Sequence, residues 1–175
     1  DYLPPEPNGP VKLFTCARLN VAKGHQDLIQ AMRKLVDQGR DIHLTIAGED
    51  DDGGNGYHLV LKELIDNLGL QNHVELLGAI STVAVKKHLL DSHVFVLASW
   101  HEPLGVAYME AMSCAVPTIG TNAGGVPELM TNGQDGVLVT PKNPDALAAA
   151  IVDLINDSER CIALSKAGRT QIEKH

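Results

Sequence analysis

Short apolar runs alternate with longer stretches whose apolar residues recur at helical spacing, from Val11 to the end of the chain. VKLFTCA (Val11 to Ala17) predicts a first strand. Leu28, Ile29, Met32, Leu35 and Val36 predict a helix that Gly39 stops. IHLTIAG is the second strand, Leu61, Leu64, Ile65 and Leu68 mark a helix up to Gly69, HVELLG is the third strand and VAVKKHLLDS a short helix. HVFVLAS, VPTIG and GVLVT supply three more strands, separated by a helix from about Gly105 to Cys114 and a short helix after Gly125. PDALAAAIVDLIND and SERCIALSKAGRTQIEK close the chain as helices. Short strands rich in Val, Ile and Leu, bounded by Gly or Asp/Asn, belong to a parallel sheet covered on both faces. The expected fold is therefore α/β, a doubly wound Rossmann-like sheet of about six strands with helices on both sides and ligands at the C-terminal strand ends. Residues 1–10 hold four prolines and no periodicity and read as a linker ahead of a domain at 11–175. GEDDDGGNG, Gly48 to Gly56, is the irregular piece, expected as a flexible acidic loop at a strand's C-terminal end.

Composition narrows the ligand. A chain of 175 residues, 44% hydrophobic, suits one domain with a full core. Its net charge of −8 disfavours a broad nucleic-acid surface or a polybasic membrane anchor, so any anion site is local. No apolar run nears the ~20 residues of a spanning helix, and DYLPPEPNGP lacks the basic and apolar blocks of a signal peptide. Cys16, Cys114 and Cys161 lie far apart with no Cys-x-x-Cys spacing and are expected to be reduced, buried and inert in a cytoplasmic protein. The histidines form no ligand-spaced cluster, His88 and His93 being five apart, and no metal is expected. His101 reads as a pocket-lining residue.

Two segments carry candidate chemistry. In CARLNVAKGH, Arg18 and Lys23 bracket the loop after the first strand. A guanidinium fork, an ammonium and the following helix N-terminus suit a phosphate; the plain alternative is two exposed loop cations. Neither a Walker loop nor Gly-x-Gly-x-x-Gly follows that strand, and Gly-x-Ser-x-Gly is absent. In SWHEPLGVAYMEAM, Glu102 stands at a helix mouth and Glu110 within the helix, roughly 80° apart if the helix were continuous. Glu102 and the amides of Leu104, Gly105 and Val106 are expected to face the crevice, with Gly105 letting a ligand approach the backbone. Glu110, in a helix apolar nearly all round, is expected to have a partner. TNAGGVPELM repeats a Gly-rich helix start, with Pro127 at a first helical position.

Taken in order, ARLNVAKG, EPLGVAYMEAM, GTNAGGVPELM and DGVLV make the chain, from about Val11 to Lys174, resemble the donor-binding C-terminal domain of retaining GT-B glycosyltransferases, glycosyltransferase group 1 (family 4). The resemblance implies that Arg18 and Lys23 hold the diphosphate of a nucleotide sugar. It places Glu102 at the donor sugar and Glu110 on the ribose hydroxyls, gives the amides of Leu104, Gly105 and Val106 to the sugar or phosphate, and sets Gly78, Ala79 and Ile80 beside the base. Arg18, Lys23 and Glu102 are then the catalytic set, stabilising the departing diphosphate and positioning the sugar without a metal or other cofactor. Pro103-Leu104 stands where the family commonly has Gly-Phe, and GEDDDGGNG replaces a tighter Gly-x-Gly-Pro turn. The family's second, N-terminal domain, which supplies acceptor binding and an active-site His, has no counterpart here, and the last helix is expected to be cut at His175. The chain is thus expected to be part of a longer hexosyltransferase of polysaccharide or related synthesis, inactive alone. Its partners would be a nucleotide sugar and that absent domain, with neither nucleic acid nor membrane. A non-catalytic nucleotide-binding module and another GT-B enzyme, such as a nucleotide-sugar epimerase or a phosphorylase, are the alternatives. Arg18 and Lys23 with Glu102 and Glu110 disfavour the enzyme alternatives.

Overall fold

The computed structural model describes residues 1–51 and 56–174. Six strands, β1 (Val11–Cys16), β2 (Ile42–Ala47), β3 (Val74–Gly78), β4 (Val94–Val96), β5 (Thr118–Thr121) and β6 (Val137–Val139), form one sheet in the order β3-β2-β1-β4-β5-β6. Every pairing is parallel, so each connection crosses over through a helix. The helices are α1 (His25–Asp37), α2 (Tyr57–Asn67), α3 (Thr82–Asp91), α4 (Val106–Ser113), α5 (Val126–Leu129), α6 (Pro144–Ile155) and α7 (Ser158–Glu173).

The alternation along β1 and β2 divides the core. Val11, Leu13, Ile42, Leu44 and Ile46 pack with Leu28, Ile29 and Met32 of α1, Leu61 of α2 and Ile151 of α6 on one face. Phe14, Ala47, Phe95 and Leu97 pack with Leu89 of α3 and Tyr108, Ala111 and Met112 of α4 on the other. Strands β4 and β5 are buried at every residue; β4 (VFV) reads as an unbroken apolar run, whereas β5 buries Thr118 and Thr121 with Ile119. The doubly wound sheet and its helices are those expected, with strand ends shifted by a residue or two.

Residues 1–10 form no helix or strand; the Tyr2 hydroxyl donates to the His93 carbonyl at 2.9 Å, and Arg40 donates to the carbonyls of Glu6 and Gly9. Two local expectations need correction. α5 begins at Val126, which puts Pro127 second in the helix. Cys161 is buried, whereas Cys16 and Cys114 are only partly so. Burial nonetheless pushes all three thiols above their ordinary pKa, with the Glu110 charge adding to the push on Cys16 and Cys114, so the reactive thiolate is disfavoured. Of the expected acidic loop, residues 52–55 lie outside the described residues. No described helix is long and apolar enough to cross a membrane.

Candidate functional site

The direction of winding reverses between β1 and β4, and the loops leaving the C-terminal ends of these two strands flank the crevice in which sheets of this type hold ligands. The loop after β1 carries Arg18 and, at the end of a short 3-10 turn (Val21–Lys23), Lys23. The loop after β4 runs from Leu97 to Gly105 and carries Glu102.

Lys23 and Glu102, 79 positions apart, meet here: Nζ lies 2.8 Å from Oε2, with side chains only 22% and 11% exposed. The same Oε2 accepts from the Ser99 hydroxyl at 3.1 Å. Ser99 is itself pinned, its carbonyl accepting from the buried Thr121 hydroxyl at 2.6 Å. The backbone of Glu102 is fixed from the other side, where its carbonyl accepts from the Gly125 amide at 2.8 Å. Gly124, at φ +58°, lies so close that an added Cβ would overlap the Glu102 backbone. The Gly-Gly turn is therefore the bed on which the Glu102 loop rests, a role its bland sequence did not suggest. Trp100 joins the two loops. Its amide donates to the Ala22 carbonyl and its indole to Asp27 Oδ2, both at 2.7 Å, while Lys142 Nζ sits 4.5 Å from the ring centroid.

Arg18 occupies a different setting. Its guanidinium is about half exposed (49%), 3.7 Å from Glu49 and 3.4 Å from the Asp50 carbonyl. The backbone beneath is tied down: Leu19 donates to the Glu49 carbonyl, and the Asn20 amide group donates to Asp51 Oδ2. His25, the first residue of α1, is 1% exposed and donates through Nε2 to the Arg18 carbonyl at 3.1 Å. Its Nδ1 has no partner among the described residues. Burial first, with Lys23 adding to it, pulls its pKa down to about 4, so the ring is neutral.

The rest of the expected set is distributed around this pair. α4 begins at Val106, with Gly105 as its N-cap. Gly105 is required there for its φ of +73° and because an added Cβ would come 3.1 Å from Leu129, so its role is conformational before it is one of access. Leu104 (74%) and Val106 (52%) present apolar side chains to solvent at the rim. Among the described residues the amides of Leu104 and Gly105 meet no acceptor. Glu110, in the second turn of α4, is exposed and pairs with no cation among the described residues, against the expectation of a partner. α4 buries Tyr108, Ala111 and Met112 on one side and leaves the face bearing Glu110 open. Gly78 ends edge strand β3, its carbonyl accepting from the Gly48 amide, with Ala79 and Ile80 following before α3. A cavity of about 920 Å³ opens between α2 and β3 and touches the expected residues only at Gly78. It does not contain the charged pair. His101 is exposed. No three His, Cys, Asp or Glu side chains among the described residues are grouped to hold a metal.

Sequence reading missed Ser99, Trp100, Asp27 and His25. Only Trp100, the sole tryptophan, carried a visible signal, standing two residues before Glu102.

Known proteins resemble this chain in sequence and fold. A family model described as glycosyl transferases group 1 matches residues 4–171. The GDP-mannose-dependent alpha-(1-6)-phosphatidylinositol monomannoside mannosyltransferase of Mycolicibacterium smegmatis is 31% identical over 160 residues, covering 87% of this chain and 41% of that protein. Anabaena HepE, solved in complex with UDP and glucose, superposes with a TM-score of 0.86 at 28% identity, over 94% of this chain and 44% of its own. The C-terminal domain of LpcC, a glycosyl transferase group 1 protein of Francisella tularensis, shares the fold at 23% identity with a TM-score of 0.85, over 98% of this chain and 87% of its own. The chain spans well under half the length of the curated relatives it matches.

Proposed function

Because the chain belongs to the glycosyl transferases group 1 family, we propose that it is the donor domain of a retaining glycosyltransferase. It binds a nucleoside-diphosphate sugar at the β1/β4 crevice for transfer to a glycan, lipid or small-molecule acceptor. The observation that carries this reading is the Lys23–Glu102 pair at the switch point of the sheet, with Arg18 on the same loop after β1. The UDP-and-glucose complex of HepE supports the ligand class.

Transfer breaks the bond between the anomeric carbon and the diphosphate. Positive charge develops on the sugar and negative charge on the leaving oxygens. Arg18 and Lys23 stabilise the latter, and a charge that grows during reaction gains more from them than the bound ground state does. Glu102 positions the sugar: with Oε2 engaged, Oε1 remains for a sugar hydroxyl. Glu110, exposed and unpaired, is available to the ribose hydroxyls, and Gly78 to Ile80 border the base. No metal is needed in this scheme, since the two cations supply the charge. The acceptor enters from a second domain closing over the crevice, and the reaction takes place in the cytoplasm.

Titration calorimetry with UDP, GDP and ADP tests the reading. One of them is expected to bind saturably, and Arg18→Ala, Lys23→Ala and Glu110→Ala each to weaken it. Equal affinity in the wild type and all three variants would sink it.

A further inference from the structure

The two groups that donor binding asks to act on different parts of the ligand are bound to each other. We infer that Glu102 is a built-in competitor for Lys23: it holds the ammonium until a diphosphate takes it, and reclaims it to expel the nucleoside diphosphate after transfer. The inference rests on the donor-domain reading above.

The geometry assigns the moving part. The Glu102 carboxylate is held by Ser99, which Thr121 holds in turn, and its main chain by Gly125, so it is fixed at both side chain and backbone. Lys23 ends a three-residue 3-10 turn, and its long stem is free to swing about rotatable bonds. The setting gives the exchange its sign. At 22% and 11% exposure each charge is mostly withdrawn from water and depends on the other. An arriving diphosphate offers Lys23 more negative charge than one carboxylate, but it must strip Glu102 of its partner and lie near that carboxylate. The neutral sugar partly offsets this loss, because the freed Oε2 can accept from its hydroxyls. The nucleoside diphosphate remaining after transfer has no such compensation, so Glu102 opposes the product more than the donor. Removing the Glu102 charge therefore tightens product binding, opposite in sign to the loss expected of a residue that only contacts ligand.

The test uses the nucleoside diphosphate that binds the wild-type chain, with Glu102→Gln, Lys23→Met and the double variant, each checked for a cooperative thermal transition. Glu102→Gln is expected to bind about fivefold more tightly or better, and the gain is expected to vanish in the Lys23→Met background. In parallel, the 15N signal of the Lys23 ammonium is expected to move on saturation of the wild type, which decides the matter even if Glu102→Gln does not fold. Unchanged or weaker binding by Glu102→Gln, a gain that persists without Lys23, or an unmoved Lys23 signal at saturation overturns the exchange while leaving the donor site standing. If neither the wild type nor Glu102→Gln binds UDP, GDP or ADP, the donor reading falls and takes the exchange with it.

Discussion

The two cations of the β1 loop sit five residues apart and have opposite surroundings. Arg18, on the outer lip of the crevice, is half exposed with partners at 3.4 and 3.7 Å, whereas Lys23, on the inner wall, is three-quarters covered and 2.8 Å from a buried carboxylate. A loosely held surface cation contributes little to folding and is free for a ligand. A covered pair contributes through the cost of separating it, so whatever takes Lys23 must displace Glu102. On the proposed reading, this difference gives Arg18 the part of capture and Lys23 that of exchange.

The comparison can be broken from its support downward. Gly124→Ala forces a side chain into left-handed backbone and into the Glu102 main chain, and is expected to lower stability by about 3 kcal/mol or more in urea unfolding. A loss below 1 kcal/mol would mean that the inner wall does not rest on this turn. Acid attacks the floor beneath the outer lip. Buried neutral His25 titrates at about 4 when folded against 6.5 when exposed, so the unfolded chain binds the extra proton. Its contribution is complete above pH 6.5 and falls as pH drops toward 4, by on the order of 3 kcal/mol. Urea midpoints across that range are expected to fall less steeply for His25→Gln. Lys23→Ala strands Glu102 and is expected to cost about 2 kcal/mol at pH 7, read by the same unfolding. Arg18→Ala, smallest of all, is expected to shift stability by less than about 0.5 kcal/mol while still weakening diphosphate binding in calorimetry. Equal costs for Lys23→Ala and Arg18→Ala would erase the distinction.

The strands and the ligand-binding edge were legible because a doubly buried parallel sheet writes itself as apolar runs, and because each βα loop announces where its strand ends; the strand order was not. Arg18, Lys23 and Glu102 could be placed on that edge from position alone. Their pairing could not, since Lys23 and Glu102 are 79 residues apart and no periodicity relates them. Glu110 misled for a related reason: neighbours in sequence made its helix look apolar all round, but exposure depends on which side faces α7 and the sheet. Ser99 and Thr121 gave no signal, because a hydroxyl that fixes a carboxylate is indistinguishable in sequence from one on a loop.

The Gly124 contact has a consequence for how such a crevice can diversify. Main chain rests on main chain there, so the support of the Glu102 loop is indifferent to the side chains the loop displays. Pro103 and Leu104 are both exposed at the rim, and it is the Pro103 main chain, against Gly125, that takes part in that support. Side chains at these two positions can therefore change the shape of the rim while the Lys23–Glu102 pair keeps its footing on the Gly124 turn.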